Sequence, residues 1–128
     1  EAGAKLVKEL VVSGAFHSPL MEPARESLFT ALDGLVIHTP RCPVYANVSA
    51  QPVTEPDQIR RALKEQLLSP VLWAQSVTAM IAADATRFIE VGPGNVLSGL
   101  LKRIDKSAAG LPAGTVADLE KTLQILKA

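Results

Sequence analysis

The segment "FIEVGPGNVLSGLLKRI", residues 88–104, indicates the fold class of this chain more clearly than any other. It begins within a short, largely apolar run at 87–91 that predicts a β-strand. A glycine-proline-glycine turn follows at 92–94. The next residues predict a helix whose inward face consists of Val96, Leu97, Leu100, Leu101 and Ile104. A strand, a tight turn and a helix in this order are typical of an α/β protein with a parallel sheet.

The rest of the chain continues this alternation of short strands and helices. Further strands are predicted in three apolar runs, at 6–13, at about 43–48 and in "AAGLP" at 108–112. Further helices are predicted to begin at proline-marked positions, namely Pro23, Pro56 and Ser69-Pro70. Thr115 with Asp118 resembles a capping box that opens a last helix. The predicted fold class is α/β, with a parallel sheet and flanking helices.

The composition argues against several classes of protein. The 128 residues suffice for one domain, and a formal net charge of zero argues against nucleic-acid binding and against a strongly basic membrane protein. No apolar stretch approaches the roughly 18 residues of a membrane span. The single cysteine, Cys42, excludes an intrachain disulfide and fits a reduced, cytoplasmic setting. The first residues do not form a signal peptide and lack an initiating Met, so we interpret the chain as a piece of a longer protein.

His17 is the first candidate for chemistry. It lies in "GAFHSPLMEP" at 14–23, after a predicted strand and before a helix start, and catalytic groups collect at such junctions in open α/β sheets. A neutral histidine there could act as a general base. The alternative, a structural histidine with satisfied hydrogen bonds, stays open. His38 lies in a proline-flanked loop and is interpreted as solvated, and two isolated histidines with one cysteine are too few for a metal site.

The segment "EVGPGNVLSGL" at 90–100 is the second candidate. Its strand, glycine turn and helix start could form an anion cradle of backbone N–H groups. A turn that needs glycine for positive φ is an equally good interpretation. The motif is neither a P-loop nor a dinucleotide fingerprint, and the chain has no Gly-x-Ser-x-Gly elbow. The residues therefore offer a base without a nucleophile, so either His17 is structural or its partner lies outside this sequence.

Four motifs together resemble a known family. "VSGAFHSPLMEPA" at 12–24, "VYANVSAQPV" at 44–53, "EQLLSPVLWAQSV" at 65–77 and "FIEVGPGNVLSGLLKRI" at 88–104 are similar, in this order, to the C-terminal part of bacterial malonyl-CoA:acyl carrier protein transacylases. These enzymes belong to the acyltransferase family of fatty acid and polyketide synthesis. The resemblance implies an α/β-hydrolase-like large subdomain and a ferredoxin-like small one. Residues 1–13 would be the last strand of the small subdomain, and 14–128 the C-terminal part of the large one.

The resemblance also implies a function. A serine would take malonyl from coenzyme A and pass it to the phosphopantetheine thiol of acyl carrier protein, with His17 as the catalytic base. The backbone carbonyl of Gln66 would orient His17, and Phe16 matches a substrate-binding position associated with acyl choice. Malonyl-CoA and acyl carrier protein are the implied partners, with no nucleic acid, membrane, metal or cofactor, and the implied location is cytoplasmic.

The same resemblance implies what this sequence lacks. The nucleophilic serine, the arginine for the malonyl carboxylate and most of the oxyanion hole are expected upstream, so the chain alone is expected to be inactive. The alternatives are a non-catalytic carrier-protein-binding remnant and a fragment of a polyketide synthase acyltransferase domain.

Overall fold

A computed structural model describes residue 3 and residues 14–127 of the chain. The predicted strand at 6–13 lies outside these residues, and the proposed boundary between a small and a large subdomain at 13 and 14 stays a prediction. The elements in chain order are a 3₁₀ helix (Pro19–Ala24), α1 (Arg25–Gly34), β1 (Val44–Ala46), β2 (Gln51–Val53), α2 (Pro56–Gln66), α3 (Trp73–Ala82), β3 (Arg87–Glu90), α4 (Val96–Ile104), β4 (Ala109–Pro112) and α5 (Val116–Lys127).

The strands form two separate two-stranded sheets in the described part of the chain. β3 and β4 are parallel, from Arg87 opposite Ala109 to Glu90 opposite Pro112, and α4 makes the crossover between them. This confirms the predicted strand–turn–helix unit and its parallel partner in "AAGLP". β1 and β2 form an antiparallel hairpin, which the sequence analysis did not predict. β2 was not predicted because it contains Pro52. Proline has no N–H to donate and is tolerated in a strand only at an edge or bulge.

One of the three proline-marked helix starts is confirmed, and two predicted starts are wrong by a few residues. α2 begins at Pro56 as predicted, but α1 begins at Arg25 rather than Pro23. The turn before α1 is a 3₁₀ helix that contains Pro23, which disfavours α geometry at the residue before it. α3 begins only at Trp73, and the N–H of Leu72 just before it donates to the carbonyl of Asn47, 2.8 Å away.

The start of α5 confirms the predicted capping box. The Asp118 carboxylate accepts from the backbone N–H of Thr115 at 3.2 Å, and the Thr115 hydroxyl accepts from the N–H of Asp118 at 3.1 Å. Each side chain thus satisfies a backbone donor that the first turn of a helix leaves free. Aspartate therefore serves here in the place that glutamate usually takes.

The core lies where α3 and α4 cover the parallel strands. Val77, Leu101 and Ala108 are buried, and the partly buried side chains Trp73, Ile81, Phe88 and Ile104 pack against them. The predicted inward face of α4 is only partly correct, because Leu101 is 2% exposed whereas Val96 is 70% exposed. Two strands are too narrow to cover a whole apolar face of a helix. No helix in the described ranges is long and apolar enough to cross a membrane.

We expect Gly114→Ala to destabilise the fold. Gly114 follows β4 and lies against the turn after β3, so closely that an added Cβ would overlap the carbonyl of Gly92. The atom that the new Cβ would meet belongs to the backbone, which cannot turn away as a flexible side chain can. Forced overpacking of this kind costs about 1–3 kcal/mol of unfolding free energy. Urea denaturation of the full-length protein measures the change.

The matched control is Gly99→Ala, at a helical position in α4 where an added Cβ meets nothing within 4 Å. Alanine is the better helix former, so this variant should be unchanged or more stable by up to about 1 kcal/mol. Equal stabilities of the two variants would show that the turns after β3 and β4 do not require this close approach.

Candidate functional site

His17 has an unusual backbone conformation. Its φ is 59°, in the left-handed region that few residues other than glycine adopt, although histidine is among the more tolerant ones. The hydroxyl of Ser18 forms hydrogen bonds with the backbone before and after His17. It donates to the carbonyl of Ala15 at 2.7 Å and accepts from the N–H of Leu20 at 3.3 Å. Backbone strain of this kind persists where surrounding contacts impose it, and it is common at functional sites.

The imidazole of His17 contacts the end of α2. Its Nδ1 lies 2.9 Å from the backbone carbonyl oxygen of Gln66. A carbonyl can only accept, so Nδ1 carries the hydrogen and donates it. In the neutral ring Nε2 is then free to accept a proton, as a general base requires.

Gln66 can supply this acceptor because of its position. It is the last residue of α2, where carbonyls have no partner within the helix. The same oxygen also accepts from the N–H of Ser69 at 3.3 Å, so its two lone pairs serve two donors. The contact that the family resemblance implied is present, and the catalytic roles of both residues stay predictions.

Phe16 precedes His17 and is largely open to solvent. Its side chain is 62% exposed, and its ring lies beside Gly14, where an added Cβ would be 3.2 Å from a ring carbon. The ring therefore lies close to the backbone of Gly14 and is mostly accessible to solvent. Its proposed part in acyl choice is not tested by this geometry.

The other sequence candidates are exposed side chains. His38 is exposed in the loop after α1, and Cys42 is an exposed free thiol. Within residue 3 and residues 14–127, no group of three or more His, Cys, Asp or Glu side chains is placed to hold a metal ion.

The "EVGPGNVLSGL" segment does form an anion cradle at its helix start, and its own Glu90 occupies it. One carboxylate oxygen of Glu90 accepts from the N–H of Leu97 at 2.9 Å, and the other accepts from the N–H of Ser98 at 2.8 Å. These two backbone donors hold the pKa of Glu90 below its usual value of 4.5. Both interpretations of the motif were therefore partly correct, since Gly92 and Gly94 also have φ of 135° and 90°.

The contacts that hold α1 against α2 were not predicted from the sequence. Lys64 forms an ion pair with Asp33, with 2.6 Å between Nζ and Oδ1, and its ammonium lies 4.9 Å from the ring centre of Phe29. Arg60, one turn earlier on α2, donates to the carbonyl of Leu35 at 2.8 Å, just beyond the end of α1. The spacing of Arg60 and Lys64 places both on one face of a helix, but nothing local identifies their partners.

Comparisons with known proteins agree on one family. The family model of the acyl transferase domain matches residues 2–124. The chain is 44% identical over 127 residues to the malonyl CoA-acyl carrier protein transacylase of Bacillus subtilis, and 42% identical over 123 residues to that of Escherichia coli. These matches cover 99% and 93% of the chain but 40% of each relative. The chain thus spans about two fifths of the length of the curated relatives it matches.

Solved structures agree with the sequence comparison. A malonyl-CoA:acyl carrier protein transacylase from Xanthomonas oryzae matches with a TM-score of 0.85 and 46% identity, covering 91% of the chain and 37% of that protein. A malonyl-transacylase in complex with a type II polyketide synthase acyl-carrier protein matches with a TM-score of 0.90 and 35% identity, covering 97% and 40%.

We expect Glu90→Gln to lower the melting temperature in a pH-dependent way. Because folding lowers the pKa of Glu90, its contribution to stability is present above pH 4.5 and is lost as the pH falls through the lowered value. The difference in melting temperature between wild type and variant should therefore be largest near neutral pH and should shrink below pH 4.5. Thermal melts of the full-length protein from about pH 7 to about pH 3 measure it.

Glu120→Gln is the control, since Glu120 is an exposed glutamate on α5. It should leave the melting temperature unchanged at every pH. A difference for Glu90→Gln that stays constant with pH would contradict the proposed capping by a charged carboxylate.

Proposed function

Since the chain belongs to the acyl transferase domain family, we propose that the protein containing it transfers malonyl from coenzyme A to the phosphopantetheine thiol of an acyl carrier protein. The observation that carries the proposal is the 2.9 Å contact between His17 Nδ1 and the Gln66 carbonyl, within a chain whose relatives are malonyl CoA-acyl carrier protein transacylases. The contact leaves Nε2 as the proton acceptor that acyl transfer through a serine requires. Both members of the contact were implied by the family motifs.

His17 would act twice in the proposed reaction. In the first half, Nε2 takes the proton of a serine hydroxyl while the serine oxygen attacks the thioester carbonyl of malonyl-CoA, and the proton then goes to the departing coenzyme A thiolate. In the second half, Nε2 takes the proton of the carrier thiol as its sulfur attacks the malonyl-serine ester. The serine oxygen leaves and regains that proton.

A neutral carbonyl suits this histidine for a physical reason. It holds the Nδ1–H donor in place and so selects the tautomer, as the aspartate of a Ser-His-Asp triad does. Unlike a carboxylate, it brings no full negative charge to the site. The serine, the arginine for the malonyl carboxylate and most of the oxyanion hole would lie in the protein outside the present sequence, whose relatives extend well beyond the matched 40% of their length.

The proposed partners follow from this reaction. They are malonyl-CoA and an acyl carrier protein, with the phosphopantetheine brought by the carrier and no further cofactor or metal, in the cytoplasm. One matched transacylase is in complex with a type II polyketide synthase carrier, so carriers of fatty acid and of polyketide synthesis are both candidate acceptors.

We expect His17→Asn in the full-length protein to abolish most of the malonyl transfer. Asparagine tolerates the left-handed backbone that His17 adopts, so the substitution removes the base without adding strain. A positioned general base contributes about 10²–10⁴-fold, and the rate should fall by that factor. Transfer from malonyl-CoA to a purified acyl carrier protein measures the rate, beside a thermal melt.

His38→Asn is the matched control, because His38 is exposed in the loop after α1. It should keep the wild-type rate. Near-normal transfer by His17→Asn, or a loss that follows only from unfolding, would overturn the assignment and leave His17 as a structural residue.

We expect Phe16→Ser to weaken the choice between malonyl-CoA and methylmalonyl-CoA. Removing an exposed ring next to the proposed base makes room for a methyl branch on the reacting acyl group. An apolar pocket discriminates one methyl group by about 1–3 kcal/mol, so the change should be partial. Competition between the two thioesters measures it, with Val36→Ser as control, since Val36 is 80% exposed beyond the end of α1. An unchanged ratio of specificity constants would place Phe16 outside the acyl pocket.

A further inference from the structure

We propose that the side-chain amide of Gln66, in addition to its backbone carbonyl, positions His17. This inference rests on the proposed function, because it concerns the orientation of the proposed base. The family resemblance assigns a role only to the carbonyl of Gln66 and none to its side chain. In the structure the amide nitrogen of this side chain is hydrogen-bonded to the turn that follows α2.

The Gln66 amide nitrogen has two acceptors. Nε2 donates to the carbonyl of Ser69 at 2.9 Å and to the carbonyl of Pro70 at 3.3 Å. Both acceptors are carbonyl oxygens, so the nitrogen rather than the oxygen of the amide must face them. Nε2 also lies 3.5 Å from His17 Nδ1, but Nδ1 carries its own hydrogen toward the Gln66 carbonyl, so this approach is no hydrogen bond.

Gln66 and Ser69 therefore bind each other reciprocally. The N–H of Ser69 donates to the Gln66 carbonyl at 3.3 Å, while the Gln66 amide donates to the Ser69 carbonyl at 2.9 Å. The two bonds close a ring across the turn that follows α2. The Gln66 carbonyl is part of that ring, so its direction is set by the amide on its own side chain.

The consequence for His17 is geometric. With one lone pair of the Gln66 carbonyl directed at Ser69, the other is left for Nδ1–H of His17. If the amide is removed, the Ser69 and Pro70 carbonyls lose a donor and the turn can relax. The Gln66 peptide can then rotate, and His17 loses its orientation even though the carbonyl itself survives the substitution.

The first test is Gln66→Met in the full-length protein, since methionine keeps the length of the side chain but cannot donate. Loss of a residue that orients a metal-binding side chain typically costs about 10–100-fold, and we expect a fall of the same order in kcat for malonyl transfer per folded enzyme. KM for malonyl-CoA should change far less than kcat, because the proposal gives the amide a role through His17 and none in binding the substrate. Gln58→Met, at an exposed position on the same helix, is the control and should keep both constants.

The second test is Gln66→Glu, which places a carboxylate where the amide nitrogen now lies 3.5 Å from Nδ1. The carboxylate is repelled by the Ser69 and Pro70 carbonyls and attracted to the Nδ1–H of His17. A negative charge there favours the protonated ring, so the acidic limb of kcat/KM should move to higher pH. The position of this limb does not depend on how much of the enzyme is folded.

The inference requires both results. A kcat loss in Gln66→Met that only matches the loss of folded enzyme, or an acidic limb that does not move in Gln66→Glu, overturns it. The proposed function is tested separately by His17→Asn. If His17→Asn is inactive but either Gln66 variant gives the contrary result, only the positioning role of Gln66 is wrong. If His17→Asn transfers malonyl at the normal rate, the proposed function itself is wrong.

Discussion

The hydrogen bond from His17 to the Gln66 carbonyl is the constraint on which the site depends. It joins residues 49 positions apart in the chain. A single hydrogen bond is worth about 1 kcal/mol net, which does not offset the conformational entropy of closing so long a loop. Other contacts must therefore hold α1, which follows His17, against α2, which ends at Gln66. The ion pair of Lys64 with Asp33 and the bond from Arg60 to Leu35 act at that interface.

Helix ends supply the polar groups used at both candidate sites. The last turn of α2 leaves carbonyls without helical partners, and one of them accepts from His17. The first turn of α4 leaves N–H groups without partners, and Glu90 from the preceding strand accepts from two of them. In each case a peptide group that the helix cannot satisfy binds a side chain from another part of the chain. The first case leaves Nε2 of His17 free to accept a proton, whereas in the second the carboxylate of Glu90 fills the anion site.

Local patterns in the sequence predicted most elements and the junction of interest. Three examples are the strand at Phe88, the helix at Pro56 and the capping box at Thr115. Each depends on neighbours within four residues, so it can be recognised in the sequence without the tertiary structure. The position of His17 between an apolar run and a helix start was equally visible. The link from His17 to Gln66 came from family resemblance alone, because no spacing rule connects residues so far apart.

Contacts between distant elements could be identified only from the tertiary structure. Whether such a contact forms depends on where whole helices and strands lie. The sequence alone predicted an α/β chain with a candidate base at residue 17, and it contains no Gly-x-Ser-x-Gly elbow; periodicity, turn residues and motifs are local properties. It could not establish that β2 pairs with β1 despite Pro52, or that only Leu101 of the α4 face is fully covered. Nor could it show that Arg60 of α2 donates to the carbonyl of Leu35, 25 residues earlier in the chain. Such bonds form only after folding has brought their donors and acceptors within about 3 Å, and no pattern of neighbouring residues encodes that distance.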